Sequence, residues 1–449
     1  MAKDMTEGSP WKLILFFALP LIAGNMVQQM YAFVDTFLVG RFLGVKALAA
    51  VGCTGCLMFL MIGFVMGMTT GLAIRTGQAF GAKDEEGVRR SAAACAVLSV
   101  AMAAGLTVFG LLIVRPVLTA LDTPPEIFDD AVSFISVIYA GVPLMSLFAM
   151  QTNLIRALGD SRVPTMMLSG GLIINIIFEP LFILWLGLGV PGAALATAAS
   201  QVLANLICFF YIRSKIPALW IRREDWRLTK AELWAHARIG LPMGFQASVI
   251  ALGAIILQGA LNGLGPEAIA AYAAAQRVDA VAVMPMMSFG MAMATYTAQN
   301  FGARRLSRIR EGVKSCILMS VTFSVLVAAL NIVCGGFLIE GFVGAGEPEV
   351  ISMGRTYLVV NGVCYFVLSL LFIFRFTLQG LGQTAVPTFA GAMELLMRAA
   401  AALFLIDRFG YFGACCANPM AWVGACIPVL VAYGMIRKTL IDAPLAVER

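Results

Sequence analysis

Residues 91–114 read SAAACAVLSVAMAAGLTVFGLLIV, a run without a single Asp, Glu, Lys or Arg. At 1.5 Å per residue a helix of this length reaches about 36 Å, enough to cross the roughly 30 Å apolar core of a bilayer. Apolar and polar positions do not alternate along it, so the run reads as a helix and not as a barrel strand. The rest of the chain is of the same kind. Of its 449 residues 60% are hydrophobic and 12% charged, and the mean hydropathy is +0.90. Soluble domains carry about 25% charged residues, so no water-soluble fold of this size could hide so much apolar surface. The chain is an integral membrane protein.

A hydropathy pass places twelve spans near 13–38, 50–73, 91–114, 131–154, 165–187, 191–212, 238–260, 268–297, 314–337, 353–377, 386–406 and 413–436. Turn-forming stretches separate them, among them Gly159-Asp-Ser-Arg-Val-Pro164 and Gly344-Ala-Gly-Glu-Pro348. The first apolar run is too long for a cleavable signal and lacks a small-residue cleavage site, so it is expected to stay as the first span. The N-terminus and every second loop hold 23 of the 31 cations, from Lys3 and Lys12 to Arg437, Lys438 and Arg449. The opposite loops hold Arg41, Lys46, Arg115, Arg355 and Arg408, and carry acids instead: Asp122, Glu126, Asp129, Asp130, Glu347 and Glu349. The positive-inside rule then puts both termini and the central loop in the cytoplasm, for a multi-pass protein of the plasma membrane. The net charge of +6 is thus a topology signal, and no nucleic-acid partner is expected.

The two halves of the chain echo each other. Leu19-Pro20 recurs as Leu241-Pro242, and Leu43-Gly44 with Ala47-Leu-Ala-Ala recurs as Leu264-Gly265 with Ala268-Ile-Ala-Ala. Gly77-Gln-Ala-Phe-Gly-Ala82 recurs as Ala298-Gln-Asn-Phe-Gly-Ala303, and Leu158-Gly-Asp-Ser-Arg-Val-Pro-Thr165 as Leu381-Gly-Gln-Thr-Ala-Val-Pro-Thr388. The offsets lie between 221 and 223 throughout. Six spans per half start both halves on the same side, which predicts parallel repeats. The expected fold is all-α: twelve transmembrane helices in two six-helix bundles related by a pseudo-two-fold axis along the membrane normal. The domains read as an N-lobe over 1–212, a cytoplasmic linker over 213–237 and a C-lobe over 238–449. Trp220, Trp226 and Trp234 among Arg and Glu suggest that the linker is an amphipathic segment at the interface.

These residues resemble the multidrug and toxic compound extrusion (MATE) transporters. The likeness is carried by Pro20, Val34-Asp35-Thr-Phe-Leu-Val-Gly-Arg41, Ala47-Leu-Ala-Ala-Val-Gly52, Gly77-Gln-Ala-Phe-Gly-Ala82 and Arg156-Ala-Leu-Gly-Asp160 with Pro164. Gln299-Asn-Phe-Gly-Ala303 and Leu378-Gln-Gly-Leu-Gly382 match in the second half, so nearly the whole chain is covered. The resemblance implies a two-lobed exporter that moves cationic or amphipathic compounds outward in exchange for protons or sodium ions.

Ionisable residues deep in a span are costly and therefore informative. Asp35 lies in the first helix. Glu179 follows Asn175 by one turn in the fifth, so the two share a face, and Pro180 leaves the carbonyl of Ile176 without its donor. Thr197 adds a hydroxyl from the sixth. A carboxyl deprived of water favours its neutral form, which suits a group that takes a proton at one face and releases it at the other. The resemblance places the family's N-lobe cation site at Asp35, Asn175 and Thr197. Glu179 stands where the family usually has Asp, and the extra methylene favours proton exchange over sodium coordination. The alternative is a structural polar cluster. One branch of the family carries acids in the seventh and tenth helices; here those helices offer Gln246, Gln258, Asn262, Asn361 and Arg375, so coupling is expected through the N-lobe alone.

Glu394 and Arg398 are four apart, a spacing that allows an ion pair, structural or engaged in substrate binding or conformational switching. Arg277 and Asp279 form a weaker candidate of the same kind, with Asp279 as a second proton stop. Gln28, Gln29, Tyr31, Gln151 and Asn153 are expected along a substrate cleft, with Met287 and Met291 as flexible apolar contacts. Gly187-Leu-Gly-Val-Pro-Gly192 fits a dinucleotide fingerprint but follows a membrane helix and no strand, and no phosphate-binding G-x-x-x-x-G-K-[ST] occurs. Cys53 and Cys56 lie in an apolar helix and read as packing. His236, the only histidine, reads as a surface residue. No nucleophile–base pair or metal cluster points to an enzyme. The reading is a secondary-active antiporter working as a monomer without cofactor or obligate protein partner, coupled to protons, with sodium as the alternative ion. A flippase for a lipid-linked precursor is the second reading; it would call for several inward-facing Arg, and the chain offers Arg375 and Arg398.

Overall fold

The computed structural model describes residues 4–121, 123–344 and 346–440. Lys3, Asp122 and Arg449, counted above for sidedness, lie outside them. The described residues are helical almost throughout, without a strand. The helices are α1 (Pro10–Cys53), α2 (Gly55–Gly81), α3 (Glu85–Ala120), α4 (Pro125–Ala140), α5 (Val142–Ala157), α6 (Arg162–Pro180), α7 (Gly189–Lys215), α8 (Lys230–Leu261), α9 (Pro266–Gly302), α10 (Leu306–Val343), α11 (Pro348–Val363), α12 (Tyr365–Gly380), α13 (Ala385–Ala400), α14 (Ile406–Phe409) and α15 (Tyr411–Ile436). Ten stretches are individually long and apolar enough to cross a membrane. Two bent pairs complete the twelve: α4 with α5, at 43°, and α11 with α12, at 49°.

The repeat seen in the sequence is also a repeat of backbone geometry. Positive φ occurs at Gly44 and Gly265, at Lys83 and Arg304, at Gly159 and Gly382, and at Gly189 and Gly410. Both halves also relax into a π-helical turn at the same place, Leu181–Trp185 after α6 and Ala401–Leu405 after α13. Pro180 accounts for the first, since it cannot donate to the preceding turn. The second has no proline. What the two share is a glycine on the following helix: a Cβ on Gly192 would come within 3.2 Å of the Phe182 carbonyl oxygen, and one on Gly413 within 2.3 Å of that of Leu405. Close approach of that glycine is common to both turns, and the proline belongs to the first alone.

The chain divides into two compact units whose boundaries fall inside helices. Unit 1 has Ala23–Gly244 as its body; unit 2 is Met5–Ile22 together with the chain from Phe245 onward. Each boundary comes two residues after a proline, Pro20 of α1 and Pro242 of α8, at the same position of the repeat.

In unit 1 the first turns of α8 lie on α2 through small residues. A Cβ on Gly67 would stand 2.4 Å from the Met243 carbonyl oxygen, and one on Gly71 would stand 2.8 Å from the Gly240 Cα. Gly67 and Gly71 thus meet Gly240 and Gly244, two small-xxx-small faces that let backbones touch. Val65, Met68, Leu72, Ala92, Ile135 and Ile155 fill the core beside them. In unit 2 the first turns of α1 bury Ile14, Phe17, Ala18 and Leu21 against Met286, Phe289, Ala292 and Tyr296 of α9.

Polar straps hold both leading segments. In unit 2 the Met5 N–H donates to Gln299 Oε1 (2.8 Å), Asn300 Nδ2 donates to the Met5 carbonyl (3.2 Å), and Arg305 and Arg308 donate to the carbonyls of Thr6 and Gly8 (2.6 and 2.8 Å). In unit 1 residues 217–219 and 224–226 form single 3₁₀ turns, and Asp225 folds the chain there by accepting from the Arg222 N–H (2.7 Å). Thr229 and Glu232 then form a capping box for α8, and Arg90 bridges to Glu232 at 2.6 Å.

His236 is not a surface residue. It is 5% exposed, with Nε2 at 2.8 Å from Ser91 Oγ and Nδ1 at 2.8 Å from the Glu232 carbonyl oxygen. A small, polar Ser91 on α3 makes room for the ring and satisfies it. Trp234 remains 65% exposed.

Candidate functional site

The site in unit 1 is built where α6 breaks. Glu179 precedes Pro180 at the end of α6 and is fully buried, and among the described residues neither carboxylate oxygen has a hydrogen-bond partner. One turn earlier, buried Asn175 donates from Nδ2 to Thr197 Oγ1 of α7 (3.4 Å). Tyr31 of α1 donates to the same oxygen (3.4 Å), and Thr197 in turn donates to the Ala193 carbonyl (3.2 Å). Asp35, one turn after Tyr31 on α1, is half-buried and interacts electrostatically with Glu179. Of the set Asp35, Asn175, Glu179 and Thr197 proposed from sequence, Asn175 and Thr197 are joined by a hydrogen bond, Glu179 lies one turn from Asn175, and Asp35 on α1 is within electrostatic reach of Glu179.

Two residues belong with that set beyond the expectation. Tyr31, expected along the substrate cleft, shares Thr197 with Asn175. Ser200, one turn beyond Thr197 on α7, also interacts with the Tyr31 hydroxyl. The i, i+3 spacing of Thr197 and Ser200 was the available signal for it. Among the described residues no Lys, Arg or His pairs with Asp35 or Glu179. Two acids that share a site without a cation can hold a proton or a small cation between them, or release it and attract a cationic solute.

Unit 2 treats its buried acids differently. Glu394 of α13 accepts from Arg375 of α12 and, at 3.4 Å, from Arg398 Nη2 of its own helix. The i, i+4 pair expected from sequence is therefore a triad in which one carboxylate joins two guanidiniums. Arg398 Nε continues the chain to Asn418 Oδ1 (3.1 Å), and Asn418 Nδ2 donates to the Tyr357 hydroxyl (3.2 Å). Tyr357 and Tyr365 both donate to Asp279, at 3.4 and 2.5 Å, and Asn331 Nδ2 donates to Tyr365 (3.1 Å). The pairing of Arg277 with Asp279 is not seen: Arg277 is exposed while Asp279 is buried, since residues two apart on a helix point to different faces.

Of the other cleft candidates, Gln28 and Gln29 are exposed on α1. Gln151 and Asn153 are buried in α5, where Asn153 donates to Thr69 Oγ1 (3.1 Å) and accepts from Arg156 (3.2 Å). Met287 is half-buried, and Met291 packs against the core of unit 2. Gln246 donates to the Pro387 carbonyl (2.6 Å) and accepts from Gln379 (2.8 Å), both within unit 2.

The family description MatE matches residues 20–181 and again residues 242–403. The chain belongs to the MatE family. The double match bears out both the family resemblance and the two-fold repeat, and MatE proteins are membrane transporters rather than enzymes. Among similar proteins are two from Bacillus subtilis. One is described as probable multidrug resistance protein YpnP, 26% identical over 80% of this chain and 79% of its own length; the other is YoeA, 27% identical over 86% and 85%. A FAD transporter of Shewanella oneidensis is 24% identical over 82% of each chain. The fold resembles that of a multidrug resistance MATE family transporter solved in an outward-facing conformation, with a TM-score of 0.89 over 98% of both chains at 21% identity. A Pyrococcus furiosus transporter of the same superfamily gives a TM-score of 0.86 over 97% of both chains at 21% identity.

Proposed function

We propose that this MatE protein is a secondary-active efflux antiporter of the plasma membrane, exporting cationic or amphipathic compounds in exchange for protons. The single observation that carries the reading is the Asp35–Glu179 pair, two acids in one site without a cation, one of them fully buried with both oxygens unpartnered. With the acids ionised the site attracts a cationic solute. Protonation removes the charge that holds the solute and favours its release, so ion and cargo need only compete for one charged state. The names of the relatives YpnP and YoeA support export of drugs. Glu179 in place of the usual Asp supports the proton over sodium, and the basic loops support cytoplasmic termini.

A flippase would need free inward-facing arginines. Arg375 and Arg398 are buried and share Glu394, which leaves that reading without its cations.

The test is efflux of a fluorescent cation from cells or vesicles, with the proton and sodium gradients collapsed one at a time. Efflux should stop when the proton gradient is lost and continue without sodium. Asp35→Asn should fold and reach the membrane but export no dye. Full efflux by that variant in vesicles with an imposed proton gradient would refute the coupling.

A further inference from the structure

Three guanidiniums converge at the linker end of unit 1, around a pocket of about 360 Å³ lined by Arg89, Arg213, Pro217, Trp220 and Arg222. Among the described residues one carboxylate, Asp225, pairs with one of them, Arg89. Its Oδ2 accepts from Arg89 Nε (3.3 Å) and from the backbone N–H of Arg222 (2.7 Å). Asp225 is thereby used up in folding the turn and holding Arg89. Among the described residues the guanidiniums of Arg213 and Arg222 pair with no acid. Both are exposed. Arg213 lies over the indole of Trp220, 4.6 Å from its centroid, which fixes the plane of its donors. A planar fork of N–H groups held in this way suits the oxygens of a phosphate.

Where the pocket sits decides whose phosphate it is. Leu195, Val202, Leu206 and Phe209 are all exposed, and their spacing puts them on one face of α7, a membrane-span candidate. Arg213, four residues after Phe209, ends that same face. Phe209 touches Trp220, with ring centroids 6.4 Å apart. An exposed apolar strip of α7 thus runs directly into a basic, aromatic-walled pocket at the end of a membrane-span candidate, and basic pockets at the ends of membrane helices recognise anionic lipids.

We propose that this pocket binds the anionic phosphodiester headgroup of a membrane glycerophospholipid, with Arg213 and Arg222 as the phosphate contacts and Trp220 against the glycerol region. The assignment rests on the membrane reading of α7 and on nothing in the transport cycle. Loss of efflux coupling would therefore leave it standing.

The experiment is thermal unfolding of the purified full-length protein in detergent, titrated with phosphatidylglycerol, with phosphatidylcholine or with inorganic phosphate. Phosphatidylglycerol should raise Tm saturably; phosphatidylcholine and inorganic phosphate should not. The double variant Arg213→Gln/Arg222→Gln, altered only at exposed side chains, should lose the rise while keeping its lipid-free Tm. The variant Arg437→Gln/Lys438→Gln, at the end of unit 2, should keep it. An equal rise with phosphatidylcholine, or an undiminished rise in the Arg213/Arg222 variant, overturns the site. A full rise with inorganic phosphate alone overturns the lipid as its source. Should lowered lipid-free stability obscure the double variant, retention of phosphatidylglycerol through purification by Arg213→Lys and by Arg213→Gln decides it: loss in Gln with partial retention in Lys supports the site, and equal retention refutes it.

Discussion

Glu179 of unit 1 and Glu394 of unit 2 are both almost wholly buried, at 0% and 3% exposure, yet their surroundings differ. Glu394 sits between two guanidiniums and anchors a hydrogen-bonded chain that runs through Arg398, Asn418 and Tyr357 to Asp279. Among the described residues Glu179 has no hydrogen-bond partner on either oxygen, and a charged neighbour is another acid, Asp35. A buried carboxylate held by two guanidiniums is a structural member, because removing its charge would leave both arginines buried without a counter-charge. A buried carboxylate with nothing to lose can change its protonation state at small structural cost. The repeated architecture thus surrounds its two buried glutamates differently, one held between two guanidiniums and one beside another acid.

The largest effect is expected from Glu394→Gln. It leaves Arg375 and Arg398 buried without their shared counter-charge, and removing one member of such a set costs about 3–5 kcal/mol. Thermal unfolding in detergent should show a drop in Tm of many degrees or a failure to purify as a folded protein. An unchanged Tm would mean that unit 2 is no more fixed than unit 1, and the contrast would fall.

Next in size is Gly71→Leu. Its side chain must enter where the α8 backbone lies at Gly240, and overpacking of that kind costs about 1–3 kcal/mol. Gly240→Leu should cost a similar amount, since Leu72 and the Met68 carbonyl lie on the opposite side of the same contact. Two single costs that fail to add in the double variant would confirm that the residues share one contact.

Much of this architecture could be read along the chain. Hydropathy and charge are sums over neighbouring residues, so the spans and the repeat needed no knowledge of packing. The Asp35, Asn175, Glu179 and Thr197 set was legible because a polar side chain in an apolar helix is itself the signal. Partners from distant segments were not legible. His236 is buried because of Ser91, 145 residues earlier, and Asp279 is satisfied by Tyr357 and Tyr365, 78 and 86 residues later. The break in hydrogen bonding at the end of α6 announced itself through Pro180. Its twin after α13 did not, because close approach at Gly413, and no breaker in the sequence, accompanies it. Likewise the break between α11 and α12 at Cys364 carries no proline or glycine at that residue.

The smallest change in stability, and the sharpest test of the contrast, is expected from Glu179→Gln. Gln has nearly the shape of Glu, and the carboxylate it replaces loses no hydrogen bond and no ion pair in the exchange. Burying a charge beside Asp35 is itself unfavourable, so a neutral amide should leave Tm unchanged or raise it slightly, provided its new donors find the Asn175 or Asp35 oxygens. Transport should respond in the opposite sense, because an amide cannot take and release the proton. A variant as stable as the parent but without proton-driven dye efflux separates the two roles of buried acids in this chain: Glu394 holds its unit together, while Glu179 gives its unit something to exchange. If Glu179→Gln instead destabilised the protein as severely as Glu394→Gln, the acid in unit 1 would be a structural member like its counterpart, and ion exchange would have to be sought elsewhere in the molecule.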